Sequence, residues 1–479
     1  MGSVRRVRWC EEDSHYAEAA KLFRDKFGHE PMVYARSPGR VNLIGEHIDY
    51  EGYPVLPMAI EKDTIVAIAS TTDTTNIELV NVDGRKFPGV QMDVDEGQKV
   101  EFSSTGWGSY FLCGYKGVFD YLRENQLDIP KTRYGLRVVV HGRVPTGAGV
   151  SSSSAFVCAS VLAVMGVYGL DFPPETVAEI ARVCEQYVGT LSGGMDQAIS
   201  LLGERGVAKL ISFNPIKAVD VKLPSGYSFV VANSLVVSNK AEGAWARYNY
   251  RVVECQLASL LLCVKLGMKL NEALANDMRT LKQVAEHWRA EFEQPLIAVE
   301  EKLSEGIGGY SRQELEKALG QGLETLFERK EELDVIANAS TYKLYERAKH
   351  VYQESQRVLA FKSLCGNSID PPDVLAWRLG SLMNESHASC ALLYECSSPY
   401  LERLVTWCRQ HGALGSRLTG AGWGGCTVSL IPSDHADAFV KALKTTFYAR
   451  MDSAVSPKEV EEAVFVSEAS EGASIMMKE

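Results

Sequence analysis

The sequence predicts a chain of mixed helix and strand in two parts that meet near residue 225. Through the N-terminal half, apolar runs rich in β-branched residues alternate with helix-period segments, the pattern of strands interleaved with helices. In the C-terminal half helical spacing dominates from Arg251 onward, and Thr427–Ile431 reads as a late strand. At the division stands Leu223-Pro224-Ser225-Gly226, turn chemistry without a period. With 479 residues, 46% of them apolar, the chain can build about two to four domain-sized cores.

Taken in order, Ser14–Phe27 has helical apolar spacing, and Met32–Ala35 reads as a strand. A polar turn is expected at Ser37-Pro38-Gly39-Arg40, before the apolar Val41–Ile44. Asp63–Ser70 and Ile77–Val82 read as strands, and a helix runs from near Gly108 to Asn125. Leu136–His141 is a β-branched run that reads as a buried strand, and Ala155–Leu170 suits a buried helix. Pro173-Pro174-Glu175 opens a helix that stops near Gly189. Gly206–Phe213 and Tyr227–Asn233 read as strands; Arg251–Gly267, Tyr342–Phe361, Trp377–Tyr394 and Tyr400–His411 read as helices, with a loop over Gly366–Asp373. The charged, amphipathic stretch Glu291–Ala339 reads as a solvated helical insertion. Within it Ser311 and Glu314 form a capping box, with Tyr310 and Leu315 placed for a hydrophobic staple.

A formal net charge of −11 argues against nucleic acid or an anionic membrane as the main partner. The eleven cysteines are scattered, with no CxxC and no zinc-like spacing, which fits small core residues in a reducing compartment. The N-terminus has no apolar signal region, and Arg6 stands where a myristoylation pattern wants Ser or Thr. Ala155–Leu170 falls short of the roughly 20 residues a membrane span needs. The expected location is the cytoplasm.

Between the strand at 136–141 and the helix after it lie Gly142, Gly147 and Gly149, then Ser151 to Ser154. A strand, a glycine-rich loop and a helix N-terminus in that order make an anion site: glycines allow close approach, free amides point outward, and the helix dipole favours negative charge. The loop is neither a Walker A nor a dinucleotide fingerprint, and alone it fits equally a turn capping a core helix. Three further clusters stand beside it: the acid- and histidine-rich stretch 40–52, the turn Leu191-Ser192-Gly193-Gly194-Met195-Asp196-Gln197, and a second glycine cluster at 418–426. Each alone fits a tight turn, an Asx-turn or a surface residue; together they point to one site.

Three of these clusters carry a resemblance. GRVNLIGEHIDYEGYPVLPMAI (residues 39–60), PTGAGVSSSSA (145–155) and LTGAGWGGCTVSL (418–430) resemble, in order, the three motifs of the galactokinase branch of the GHMP small-molecule kinases. Val150 replaces the usual leucine and keeps an apolar anchor. The resemblance covers about residues 20 to 450 and implies an α+β, two-domain GHMP kinase fold. Its N-terminal lobe (1–225) would be ribosomal protein S5 domain 2-like. Its C-terminal lobe (226–479) would be ferredoxin-like and helix-rich, with the insertion near 290–340.

The implied activity is ATP-dependent phosphorylation of the anomeric hydroxyl of α-D-galactose, giving galactose 1-phosphate. By resemblance, Gly147, Gly149, Ser151, Ser152 and Ser153 cradle the phosphates, while Ser153 and Glu185 hold Mg²⁺. Trp107 and Tyr110 match the adenine-stacking positions, and Asn239 and Lys240 match ATP-contacting ones. Glu46, His47, Asp49, Gly193 and Tyr248 match the sugar-binding positions, with Arg40 and Asp196 shared between sugar binding and chemistry. A site that satisfies particular hydroxyls rejects analogues lacking them. Asp196 is the candidate base and Arg40 its cationic partner, a pairing that keeps a carboxylate ionised and stabilises charge on the transferring phosphoryl group. The alternatives are an N-acetylgalactosamine kinase or dual-specificity enzyme, against which Tyr248 speaks, and a non-catalytic galactose and ATP sensor, against which the intact serine loop speaks. A monomer is expected.

Overall fold

Two sheets organise the chain. The computed structural model describes residues 3–8, 14–95, 97–101, 105–238, 244–291, 293–451 and 455–477. The first sheet takes β1 (Arg6–Arg8), β2 (Val33–Ile44), β3 (Leu56–Thr71), β4 (Asn76–Asn81), β5 (Val90–Asp93) and β6 (Gly135–Gly142). The hairpin of β7 (Val207–Ser212) and β8 (Lys217–Lys222) and the short pair β10 (Tyr310–Ser311) and β11 (Thr341–Tyr342) stand apart from it. The second sheet, in spatial order β12-β13-β9-β14, is antiparallel and joins β9 (Tyr227–Asn233), β12 (Gly415–Leu418), β13 (Cys426–Pro432) and β14 (Val464–Ser467). The last strand, β15 (Ser474–Met477), returns to the first sheet, whose order is β1-β15-β2-β3-β6-β4-β5.

The first sheet is covered on both faces, which is why its central strands are apolar almost throughout. Along β3, Ile65, Ala67 and Ala69 turn to the helix Ser14–Phe27 and pack with Tyr16, Ala19 and Phe23. Their neighbours Val66 and Ile68 turn the other way, into the main core with the helices Ser109–Glu124 and Ser152–Tyr168, as the two-residue period of a strand requires.

The polar turn expected at Ser37–Arg40 is not a turn. Strand β2 runs through it, pairing Ser37 with Thr64 and Pro38 with Asp63, and a register shift falls between Pro38 and Arg40. A proline has no amide to donate, so a bulge is where a strand tolerates one. The shift sends the Arg40 amide out of the ladder to the Val150 carbonyl at 3.2 Å. Gly39 permits this contact: a Cβ there would lie 2.7 Å from the Val150 oxygen. The irregularity that mimics a turn is the point where the sheet meets the glycine–serine loop.

The insertion folds as the short helices Pro295–Leu303, Arg312–Leu319 and Lys330–Asn338. The capping box forms: Glu314 Oε2 accepts from the Ser311 amide at 2.8 Å, and the Glu314 amide donates to Ser311 Oγ at 3.3 Å. One face is less solvated than the charge pattern suggests, because Val299, Leu303, Leu315, Leu319 and Val335 join the main core. The helix expected to close at Phe361 runs on to Asn367 and takes the first residues of the expected loop.

The stretch 48–53 docks on the helix Leu281–His287. Glu51 Oε2 accepts the Leu281 amide at 2.6 Å, and Lys282 Nζ donates to the Gly52 carbonyl at 3.0 Å. Glu51 is buried, and burial, opposed only by that backbone hydrogen bond, pushes its carboxyl from 4.5 to about 8. The folded chain therefore keeps a proton that the unfolded chain releases, and stability falls as pH rises from about 4.5 to about 8. Glu51→Gln keeps an acceptor for Leu281 and cannot ionise. Its stabilisation over the unsubstituted chain should be about 1 kcal/mol at pH 5 and about 4 kcal/mol at pH 8, read from denaturant melts at the two pH values.

Candidate active site

The glycine–serine loop leaves β6 and enters the helix Ser152–Tyr168 through three left-handed residues, Gly147, Gly149 and Ser151, with φ of 66°, 71° and 61°. The Ser151 side chain does not cap that helix, so the amides of its first turn keep the orphan donors of a helix start. These residues border a cavity of about 510 Å³, lined also by Trp107, Tyr110, Glu185, Lys86 and Thr146. Trp107 stacks on Phe156, with ring centroids 5.8 Å apart at 27°, and its indole N–H donates to the Pro88 carbonyl at 2.8 Å. Its outer face is thus held in place and its polar atom is already satisfied. Glu185 is buried, and its Oε2 accepts from Gln197 Nε2 at 2.5 Å.

The late glycine cluster serves mainly to press against this loop. A Cβ on Gly420 would lie 2.3 Å from the Gly149 oxygen, and one on Gly425 would lie 2.8 Å from the Ala148 oxygen. The Ser238 amide donates to the Gly147 carbonyl at 2.7 Å, and Ser238 Oγ donates to the Gly422 carbonyl at 2.7 Å. The two glycine motifs, nearly three hundred residues apart in sequence, need each other's lack of side chains to touch.

A second, narrow cleft of about 20 Å³ is lined by Arg40, Glu46, His47, Asp49, Asp196 and Tyr248. Ser192 and Ala421 line both spaces. At their junction the wholly buried Arg40 donates from Nε to Asp196 Oδ1 at 2.7 Å and from Nη1 to the Gly149 carbonyl at 2.6 Å. Its Nη2 is buried and has no hydrogen-bond partner among the described residues. Burial works against the guanidinium charge, but Asp196, Glu46 and Asp49 outweigh it and hold the group above its ordinary pKa. Asp196 stands in the first turn of the helix Met195–Leu202.

Around this pair the cleft is heavily cross-tied. Glu46 accepts from Asn42 Nδ2 at 2.8 Å and from the Gly420 amide at 2.7 Å. Burial, the largest effect, pushes its carboxyl up against the opposing pull of Arg417 and Arg40. His47, at φ 60°, donates from Nε2 to the Ala421 carbonyl at 2.9 Å, and its Nδ1 accepts from the Tyr50 hydroxyl at 3.0 Å. Asp49 Oδ2 accepts the Met195 amide at 3.3 Å. Burial first, then Asp49, Asp196 and Glu46, raise the Tyr248 phenol well above its ordinary value, so it stays protonated and able to donate. Gly193 lies against the backbone of this stretch: a Cβ there would meet the Tyr50 nitrogen at 2.3 Å and the Asp49 carbonyl carbon at 2.5 Å.

The sequence-based candidates thus come together around two adjoining spaces. Arg40, Glu46, His47, Asp49, Asp196 and Tyr248 line the narrow one, Gly193 packs behind it, and Trp107, Tyr110, Gly147, Gly149, Ser151, Ser152, Ser153 and Glu185 line the larger one. Asn239 and Lys240 lie outside the described residues. The sequence reading did not single out Lys86, which lines the larger cavity and donates to Thr146 Oγ1 at 2.8 Å, or the buried Arg417, His350 and Glu354 behind the narrow cleft. No motif marks Lys86, which stands in a turn, and His350 and Glu354 lie in a helical pattern, where a polar or charged residue reads as solvent-facing.

Comparison with known proteins shows the family of the chain. Residues 21–70 match the galactokinase galactose-binding signature, 113–204 the GHMP kinases N terminal domain and 377–449 the GHMP kinases C terminal domain. A galactokinase of Dictyostelium discoideum is 39% identical over 94% of this chain and 91% of its own. One from Saccharomyces cerevisiae is 37% identical over 95% and 93%. In fold, the chain is similar to the crystal structure of Lactococcus lactis galactokinase complexed with galactose, with a TM-score of 0.69, 23% identity and coverage of 96% of this chain and 99% of that one. On these matches the chain belongs to the galactokinase family of GHMP kinases.

Proposed function

We propose that this chain transfers the terminal phosphoryl group of ATP to the anomeric hydroxyl of α-D-galactose, giving galactose 1-phosphate and ADP. The observation that carries the reading is Arg40 at the junction of two spaces, bonded at once to Asp196 and to the phosphate-loop carbonyl of Gly149. ATP takes the larger cavity, with Trp107 and Tyr110 beside the base and the amides of Gly147 to Ser153 around the phosphates. Asn239 and Lys240 join the ATP contacts on the strength of the family resemblance. The sugar takes the narrow cleft, where Glu46, His47, Asp49 and Tyr248 offer acceptors and donors for its hydroxyls, and Gly193 lets the backbone come close. Asp196 accepts the proton of the attacking hydroxyl, and the buried Nη2 of Arg40 is a donor in reserve for the charge that builds on the moving phosphoryl group.

The donor set fits Mg²⁺. Ser153 and Glu185 both border the larger cavity, and Gln197 fixes the Glu185 carboxylate. One carboxylate and one hydroxyl suit an ion that completes its shell with phosphate oxygens and water. Among the described residues no cluster of three or more His, Cys, Asp and Glu could hold a metal unaided. When bound, the ion neutralises charge on the ATP phosphates.

Tyr248, which lines the narrow cleft, supports galactose over N-acetylgalactosamine on the strength of the family resemblance. We take the chain to act as a monomer. We take the division near residue 225, where β9 opens the second sheet, as the lobe boundary. No helix among the described residues is long and apolar enough to cross a membrane, and the ten described cysteines are free, which supports the cytoplasm as its location.

Purified protein with Mg²⁺ and ATP should release ADP on addition of galactose, with a higher kcat/KM for galactose than for N-acetylgalactosamine. No galactose-dependent ADP would overturn the proposed reaction, and the reverse preference would overturn the choice of sugar. Asp196→Asn should lower kcat by about 10²–10⁴-fold, the usual contribution of a positioned proton acceptor, with the KM for galactose changed only a few-fold; steady-state kinetics decide it. Gly193→Ala drives a methyl into the Asp49–Tyr50 backbone and should raise the KM for galactose roughly tenfold while leaving the KM for ATP near its starting value.

A further inference from the structure

The stretch Gly45–His47 does not hold its own shape. Gly45 has φ 106° and His47 φ 60°, and a non-glycine residue in the left-handed region persists only where its surroundings over-determine it. The surroundings here belong to the helix Leu344–Asn367 of the C-terminal half. That helix comes so close that a Cβ on Gly45 would lie 2.9 Å from Val358 Cγ2. Glu354, on the same helix and without exposure to solvent, aims its carboxylate at the turn. Oε1 accepts the Gly45 amide at 2.8 Å, the Glu46 amide at 3.3 Å and the Ser386 hydroxyl at 2.6 Å, and Oε2 accepts Arg357 Nε at 2.8 Å. One turn earlier, His350 donates from Nε2 to the Glu46 carbonyl at 3.0 Å and accepts from Ser389 Oγ at Nδ1 at 2.8 Å. The peptide group on either side of Glu46 is thereby gripped from one helix.

We propose that Glu354 is a positioning residue for sugar binding: its carboxylate fixes the amides of Gly45 and Glu46, and so sets where the Glu46 and His47 side chains stand in the narrow cleft. The proposal rests on the galactose reading above and names a residue outside the three family motifs. Glu354 is not among the residues that line either cavity, so it acts through the turn and not on the sugar. A buried carboxylate is costly to desolvate, and an apolar residue would pack as well. What only an acceptor can do at this point is take two consecutive backbone amides on one oxygen. Burial works against the Glu354 charge, but Arg357 and Arg417 outweigh it and hold the carboxyl at about 2, so the acceptor stays charged at neutral pH. Burial keeps His350 at about 4 and hence neutral, which suits a ring that donates from one nitrogen and accepts at the other.

Two near-isosteric variants separate position from charge. Glu354→Asp keeps the charge but withdraws the oxygens by about 1.5 Å; Glu354→Gln leaves an acceptor in place and drops the charge. If the carboxylate positions the turn, Glu354→Asp raises the KM for galactose about tenfold or more and Glu354→Gln only about threefold, with the KM for ATP moving less than twofold in both, the scale expected for one or two lost hydrogen bonds. Amide hydrogen exchange at Gly45 and Glu46, which needs no substrate, should speed up more in Glu354→Asp than in Glu354→Gln. A larger galactose effect in Glu354→Gln, parallel rises in both KM values, or unchanged exchange at Gly45 and Glu46 would overturn the proposal. Absence of galactose turnover in the unsubstituted chain would instead overturn the substrate reading, and the exchange measurement would still decide whether Glu354 holds the turn.

Discussion

A guanidinium with no access to solvent costs on the order of several kcal/mol to desolvate, and the centre of this molecule is arranged to offset that cost for Arg40. Its partners come from three places: Asp196 at a helix start, the Gly149 carbonyl in the phosphate loop, and the field of Glu46 and Asp49. Each needs its own local device. The bulge in β2 turns the Arg40 amide toward Val150. The left-handed glycines bring the loop carbonyl within reach. Gly193 and Gly194 let the Asp196 helix start against Asp49 and Arg182. Take away the arginine and these features have no common purpose; keep it and they must all be built to within a few tenths of an ångström.

The same strand ties the two halves together. Within a few residues of Arg40, Asn42 exchanges hydrogen bonds with Thr419 and accepts Arg417 Nη1 at 2.9 Å, while Glu46 takes the Gly420 amide. Further on, Glu51 caps a C-terminal-half helix. The stretch from Arg40 to Asp49 that lines the narrow cleft is therefore written in the N-terminal third of the sequence but shaped by residues beyond 340. A domain description that assigns the acceptor site to one lobe misses half of what determines its geometry.

Legibility followed the reach of the physics involved. The helix Ser14–Phe27 and the strand Tyr227–Asn233 form where their periodicity places them, because local pattern and tertiary burial agree there. The capping box at Ser311 was readable because all its parts lie within four residues. Ser37–Arg40 was misread because Pro and Gly signal a turn locally, whereas here they serve a bulge whose reason, the Val150 carbonyl, lies over a hundred residues away. The motifs named Arg40 and Asp196, but their contact across 156 residues is not in either motif. Glu354 and His350 were invisible for a further reason: a charged residue inside an amphipathic helix reads as solvent-facing, and only the packed fold reveals that this face is covered.

Strand β2, which carries Arg40, lies between β3 and β15. The pairing of Ser474–Met477 with Val33–Arg36 has a consequence for synthesis. A ribosome delivers this chain in one direction, and domains generally fold as units as they emerge. Here the first unit to emerge lacks a neighbour strand until Ser474–Met477 has been made. Until then β2 presents an unpaired edge, the kind of surface that recruits other strands. Arg40 thus sits on a strand whose pairing waits for Ser474–Met477, far downstream, and those residues close the sheet on which the helix Ser14–Phe27 packs.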